Sequence, residues 1–190
     1  MLYMRGEIQT EAEAIDLPDR KLLEELYRMR DLNGNDDDLE RFTDILNELC
    51  EKASADVIAD LCRMLEDDVI EPSAAGDLLE TIFYISERCG IEESIHYLAL
   101  GIPGLFPRAE GWAIRLHRML LDSDRPDAPY IEYYGTALRG IPARIVRRAA
   151  NTVLEIKRAQ PELYTEKVDL FTEVLMRGEE IGGNRVCTRH

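Results

Sequence analysis

The residues best equipped for chemistry are three histidines, His96, His117 and His190, and four cysteines, Cys50, Cys62, Cys89 and Cys187. Glu92 and His96 stand one helical turn apart, a spacing at which two side chains can share a metal ion, but no second His or Cys completes the set. The cysteines form no C-x-x-C pair and no zinc-type spacing, and Cys50 and Cys62 fall among apolar positions. They read as buried free thiols that pack as small hydrophobes. Arg115 and Arg118 beside His117 disfavour its protonated form. The sequence has no nucleophile elbow and no glycine-rich phosphate loop. An enzyme would need a pocket in which Glu92, His96 or His117 converges with other polar groups. The reading from sequence is no enzyme, no metal and no cofactor.

A calcium site is the next chemistry to weigh. Counting from Asp31, positions one, three and five are Asp31, Asn33 and Asn35, as an EF-hand requires. Position six is Asp36 where the sharp turn needs glycine, and position twelve is Phe42 where a bidentate glutamate belongs. Asp36, Asp37 and Asp38 suit instead the N-terminus of a helix, whose dipole favours negative charge.

That helix carries the most pronounced charge pattern in the chain. Asp37, Glu40, Asp44, Glu48 and Glu51 recur at three- and four-residue steps and so share one face, with Arg41 the only nearby offset. Glu66, Asp67, Asp68 and Glu71 follow in the next loop. Like charges at such spacing repel by a few tenths of a kcal/mol per pair. Fold stability does not ask for such a face, but a cationic partner gains from it, chiefly in association rate, by roughly 10–10³-fold. Two readings stand side by side. One is a solvated face that keeps the chain soluble. The other is a partner-binding face of Asp37, Asp38, Glu40, Asp44, Glu48 and Glu51, with Glu66, Asp67 and Asp68 beside it. An opposite stripe, Arg144, Arg147, Arg148 and Arg158 with Arg139 preceding, lacks interleaved aromatic residues. It reads as pairing with acids inside the chain or across subunits rather than as a nucleic-acid site.

Helices must position all of these groups. Apolar residues recur at helical period almost throughout, as in Leu39, Phe42, Ile45, Leu46 and Leu49, or Val57, Ile58, Leu61, Cys62 and Leu65. Ser54 is placed to cap the second of these helices, and Gly90 to end the one opened by Pro72. Starts near Leu17, Asp36, Ser54, Ser73, Ile91, Arg108, Asp127, Pro142 and Glu162 give a helix pair about every 37 residues. The expected fold is all-α, about nine helices as antiparallel hairpins, in an α-solenoid-like array or a compact bundle. Residues 101–107, rich in Gly and Pro, read as a stiff apolar connector. The expected organisation is one helical domain over residues 1–178, with halves at 1–101 and 108–178, and a flexible tail at 179–190.

Charge is distributed as unevenly as the helices are regular. Residues 1–80 hold 23 acidic and 8 basic side chains, a net charge of −15, whereas residues 81–190 hold 15 of each. This excludes a nucleic-acid surface in the first half and favours a basic protein partner. No apolar run of about 18 residues is present, so no membrane span is expected. The first residues lack the pattern of a secretory signal, which points to the cytoplasm. Oligomeric state is not legible.

Residues 111–123 read Gly-Trp-Ala-x-x-Leu-His-Arg-x-Leu-Leu-Asp-Ser. Together with the helix and connector order over residues 82–105, this stretch resembles the all-helical immunity proteins of bacterial polymorphic-toxin and contact-dependent inhibition systems. The particular likeness is to immunity protein family 30. The resemblance spans residues 77–171. It implies a small cytosolic protein that binds the toxin domain encoded beside it and blocks it. It also implies that Trp112, His117, Arg118 and Asp122 are motif residues with structural roles. The alternative is a helical-repeat adaptor or scaffold unrelated to toxins.

Overall fold

The structure, a computed structural model, describes residues 17–30, 36–68 and 72–182, without the side chains of 17, 18, 36–38 and 178–182. Asp31, Asn33 and Asn35 of the rejected calcium loop, together with Glu71, Cys187 and His190, lie outside the described residues. Among the described residues the chain is all-α, with nine helices: α1 Leu17–Met29, α2 Asp36–Lys52, α3 Val57–Met64, α4 Pro72–Cys89, α5 Ile91–Leu105, α6 Glu110–Ser123, α7 Tyr130–Ala137, α8 Ala143–Ala159 and α9 Pro161–Gly182. A short 3-10 turn, Leu138–Gly140, follows α7.

The observed starts fall within three residues of those expected, because each apolar stripe at period 3.6 is buried as one face. Ser54 does not cap α3: its hydroxyl bonds the Asp56 carboxylate at 2.5 Å, and the helix begins at Val57. Gly90 does close α4, at a φ of 109° that favours glycine.

Helices two apart in sequence stack on each other: α1 on α3, α3 on α5, α5 on α7 and α7 on α9, with α2 on α4 and α6 on α8 beside them. Among the described residues no helix packs extensively on one more than three places away. This is the quasi-one-dimensional order of stacked helical hairpins. A continuous apolar cluster runs through it from Leu23 to Phe171.

Residues 101–107 correct the sequence reading. The expected connector is helical through Leu105, with Pro103 inside α5. Its glycines serve packing rather than flexibility. A Cβ on Gly101 would stand 2.6 Å from Cys62 Cβ and 3.2 Å from Ala59 Cα, and one on Gly104 would stand 2.7 Å from Arg63 Cγ. Gly101 and Gly104 therefore let α5 press directly on α3, a helix buried at six of its eight positions. The packing outweighs the helix hydrogen bond that Pro103 cannot donate. Gly101→Ala should destabilise the chain by about 1–3 kcal/mol through overpacking. Gly76→Ala in α4, where nothing lies within 4 Å, should stabilise it by roughly 0.5–1 kcal/mol. Denaturant midpoints of the two variants check both signs.

Candidate partner-binding surface

The acidic stripe of α2 lies on its outer side, opposite the buried residues Phe42, Ile45, Leu46 and Leu49. Glu40, Asp44 and Glu51 are exposed and make no ion pair or hydrogen bond within the described residues. Glu48 is half-buried and accepts from Lys52 Nζ at 3.1 Å. Asp37 and Asp38 occupy the first turn of α2, and their side chains lie outside the described ones. Arg41, the one nearby base, is engaged elsewhere: its Nε and Nη2 donate to Glu25 of α1 at 2.7 and 2.8 Å. The hydrogen bond raises the pKa of Arg41 and lowers that of Glu25, so the pair stays ionised.

The loop acids behave differently from one another. Asp68 is exposed and unpaired within the described residues. Glu66 accepts from Arg108 Nη1 at 3.0 Å and lies 3.8 Å from Arg30 Nε. Asp67 caps a distant helix, its carboxylate accepting from the backbone N–H of Gly111 at 2.9 Å and of Trp112 at 3.2 Å. These N–H groups open α6, where no intrahelical acceptor exists and the dipole welcomes an anion. Gly111 fits because a Cβ there would stand 3.0 Å from Asp67 Oδ1. The charges of Glu66 and Asp67 are thus engaged within the chain. Asp67→Ala should cost about 1–2 kcal/mol of stability, and Asp67→Asn less, because it keeps an acceptor. Thermal unfolding of the two variants measures the difference.

A second acidic stripe escaped the sequence reading. Asp77, Glu80 and Glu87 lie exposed on α4, around Tyr84, which is 59% exposed. Arg88 donates from Nε to the Cys50 carbonyl at 2.7 Å and from Nη2 to the Ala53 carbonyl, joining the end of α4 to the end of α2. The two helices pack on each other with these ends joined, and each carries an exposed acidic stripe. Of the α4 acids, Glu87 has Arg125 Nη2 at 3.8 Å.

The Gly-Trp stretch is structural. Trp112 is buried, with the Arg115 guanidinium 4.5 Å from its ring centre. His117 is fully buried: Nδ1 lies 2.6 Å from the Ala113 carbonyl and Nε2 2.8 Å from the Tyr134 hydroxyl. A carbonyl only accepts, so Nδ1 carries the proton and Nε2 accepts from Tyr134. Burial, rather than the neighbouring arginines, lowers the His117 pKa to about 4 and keeps it neutral. Asp122 lies 3.4 Å from the Tyr164 hydroxyl, an interaction that ties α6 to α9.

Glu92, His96 and His117 do not converge. Glu92 lines a cleft of about 620 Å³ with Glu93, Asp127, Cys89 and Tyr133, which neither histidine lines. Among the described residues no three His, Cys, Asp or Glu side chains gather as a metal site requires. Cys50, Cys62 and Cys89 are free thiols, and burial pushes the Cys62 thiol up to about 12. No described helix is long and apolar enough to cross a membrane.

Over residues 28–130, more than half of its length, the chain matches the family described as Immunity protein 30. The chain belongs to that family. No curated protein matches it, and no solved structure does. The stretch shared with the immunity proteins begins earlier than the likeness read over residues 77–171, and it stops at the start of α7. It takes in the acidic face of α2, the loop acids, α4 and the Gly-Trp helix, which the Asp67 clasp binds into one framework.

Proposed function

We propose that this immunity protein binds and neutralises a cognate toxin domain by docking the acidic face of α2 and α4 on a basic surface of that domain. The observation that carries the reading is the trio Glu40, Asp44 and Glu51, exposed and unpaired within the described residues of a family member. We assign to the same face Asp37, Asp38, Glu48 and Asp68, with Asp77 and Glu80 of α4 as further candidate contacts. Glu66 and Asp67 hold the framework rather than the partner. A surface of one sign raises the encounter rate with its complement and repels the phosphate backbone of nucleic acids. Inhibition needs no catalytic group or cofactor, only occlusion of the toxin's active site or substrate path. The helical stack acts as one domain in the cytoplasm, where it meets the toxin.

The test is stopped-flow association of the purified chain with the toxin domain encoded beside it, across a salt series. The association rate constant should fall steeply as ionic strength shortens the screening length from about 30 Å toward about 8 Å. A salt-independent rate contradicts docking through this face, and absence of binding contradicts the pairing itself.

A further inference from the structure

A different surface lies on the helices beyond the family match. The 3-10 turn, α8 and α9 enclose a cleft of about 510 Å³. Its apolar lining includes Leu138, Ile141, Val146 and Leu175, with Met176, itself 62% exposed, at its edge. Arg139 and Arg147 complete the wall. Arg139 donates from Nη2 to the Val174 carbonyl at 2.7 Å, which fixes its guanidinium at the cleft. Arg147 is exposed and, like Arg144 three residues before it, has no acid within ion-pairing distance among the described residues. Acids outnumber bases 38 to 23 in this chain, so partners for arginines are abundant. Arg147 nonetheless lines an apolar cavity with no ion pair among the described residues.

We infer that this cleft is a docking site for a segment of a partner protein that presents a large apolar side chain flanked by carboxylates. The occupant's chemistry follows from complementarity. The apolar floor takes an aliphatic or aromatic side chain out of water. Arg147 and Arg144 then meet the flanking carboxylates with charge-assisted hydrogen bonds. A segment flanked by bases meets the same guanidiniums and is repelled. The site is independent of the toxin reading, since its lining residues lie past Tyr130 and share nothing with the α2–α4 face.

The experiment uses the full chain with 13C-labelled methionine methyls and two acetylated, amidated hexapeptides, Asp-Glu-Leu-Phe-Glu-Asp and Lys-Lys-Leu-Phe-Lys-Lys. Near-physiological salt screens the long-range field of the acidic half to about 8 Å, so that the local arginines decide. The acidic peptide should shift the Met176 methyl saturably and bind at least tenfold tighter than the basic one. Arg147→Glu should weaken that binding at least tenfold. Met176→Lys, monitored by the peptide's own phenylalanine signals, should abolish it. Both side chains are exposed, and an unchanged circular dichroism spectrum confirms that the variants fold. No saturable shift, equal binding of both peptides, an unaffected Arg147→Glu variant, or shifts centred on the other methionines each overturn the inference.

Discussion

Replacing Glu40, Asp44 and Glu51 together by lysine should slow association with the toxin domain by roughly 10–100-fold at low salt and flatten its salt dependence. The three carboxylates are exposed and make no ion pair or hydrogen bond within the described residues; Asp44 feels only the nearby charge of Arg41, so most of their field projects outward. Reversal should not unfold the chain. Lysine is as good a helix former as glutamate, and the reversal turns the 37/40, 44/48 and 48/51 repulsions into attractions of a few tenths of a kcal/mol each, against a like-charge pair kept at 40/44 and one created at 41/44. At the end of α2, Lys at position 51 also suits the negative pole of the helix dipole. The dissociation rate should change much less than the association rate, because exposed charges act mainly on encounter. At high salt the variant and the parent should converge. Unfolding midpoints measured beside the kinetics separate lost charge from lost structure.

Acid should destabilise the chain through His117. Its ordinary pKa is 6.5, and burial lowers the folded value to about 4. Above 6.5 the imidazole is neutral in both states and contributes no pH dependence. Between 6.5 and 4 the unfolded chain binds a proton that the folded chain refuses, so stability falls as pH falls. The loss reaches about 3 kcal/mol near pH 4, at a slope of at most 1.36 kcal/mol per pH unit. Protonation is also disfavoured structurally, since Nε2 already accepts from the Tyr134 hydroxyl and an added proton would face that donor. Tyr134 in turn stacks on Phe171 with ring centres 5.8 Å apart, which links His117 of α6 through α7 to α9. His117→Gln removes the titration and should show a shallower decline over this range, though a lower stability at neutral pH. Denaturant unfolding of both proteins across the range decides the point, and parallel declines contradict it.

The helices were legible because each buries one stripe at period 3.6, which requires only local spacing. The misreading at residues 101–107 has a tertiary cause. Gly and Pro lower helix propensity locally, but Gly101 and Gly104 are what allow α5 to approach Cys62 and Arg63 of α3. The candidate surface was legible only in part. Spacing alone puts Glu40, Asp44 and Glu51 on one face. It does not reveal that Asp67 serves the α6 N-terminus 44 and 45 residues away, or that Arg88 aligns α4 with α2. Asp77, Glu80 and Glu87 were missed because their stripe is sparse. The arginines of α8 were expected to find acids. Arg148 does so, with Glu110 at 3.4 Å, whereas Arg144 and Arg147 make no ion pair among the described residues.

The most direct test of the central claim is growth of cells expressing the toxin domain encoded beside this chain. The toxin alone should arrest growth, co-expression of the native chain should restore it fully, and the Glu40, Asp44 and Glu51 reversal should lose that protection, while reversal of Arg144 and Arg158 on α8 leaves protection intact. Equal toxicity with and without the native chain would contradict the account.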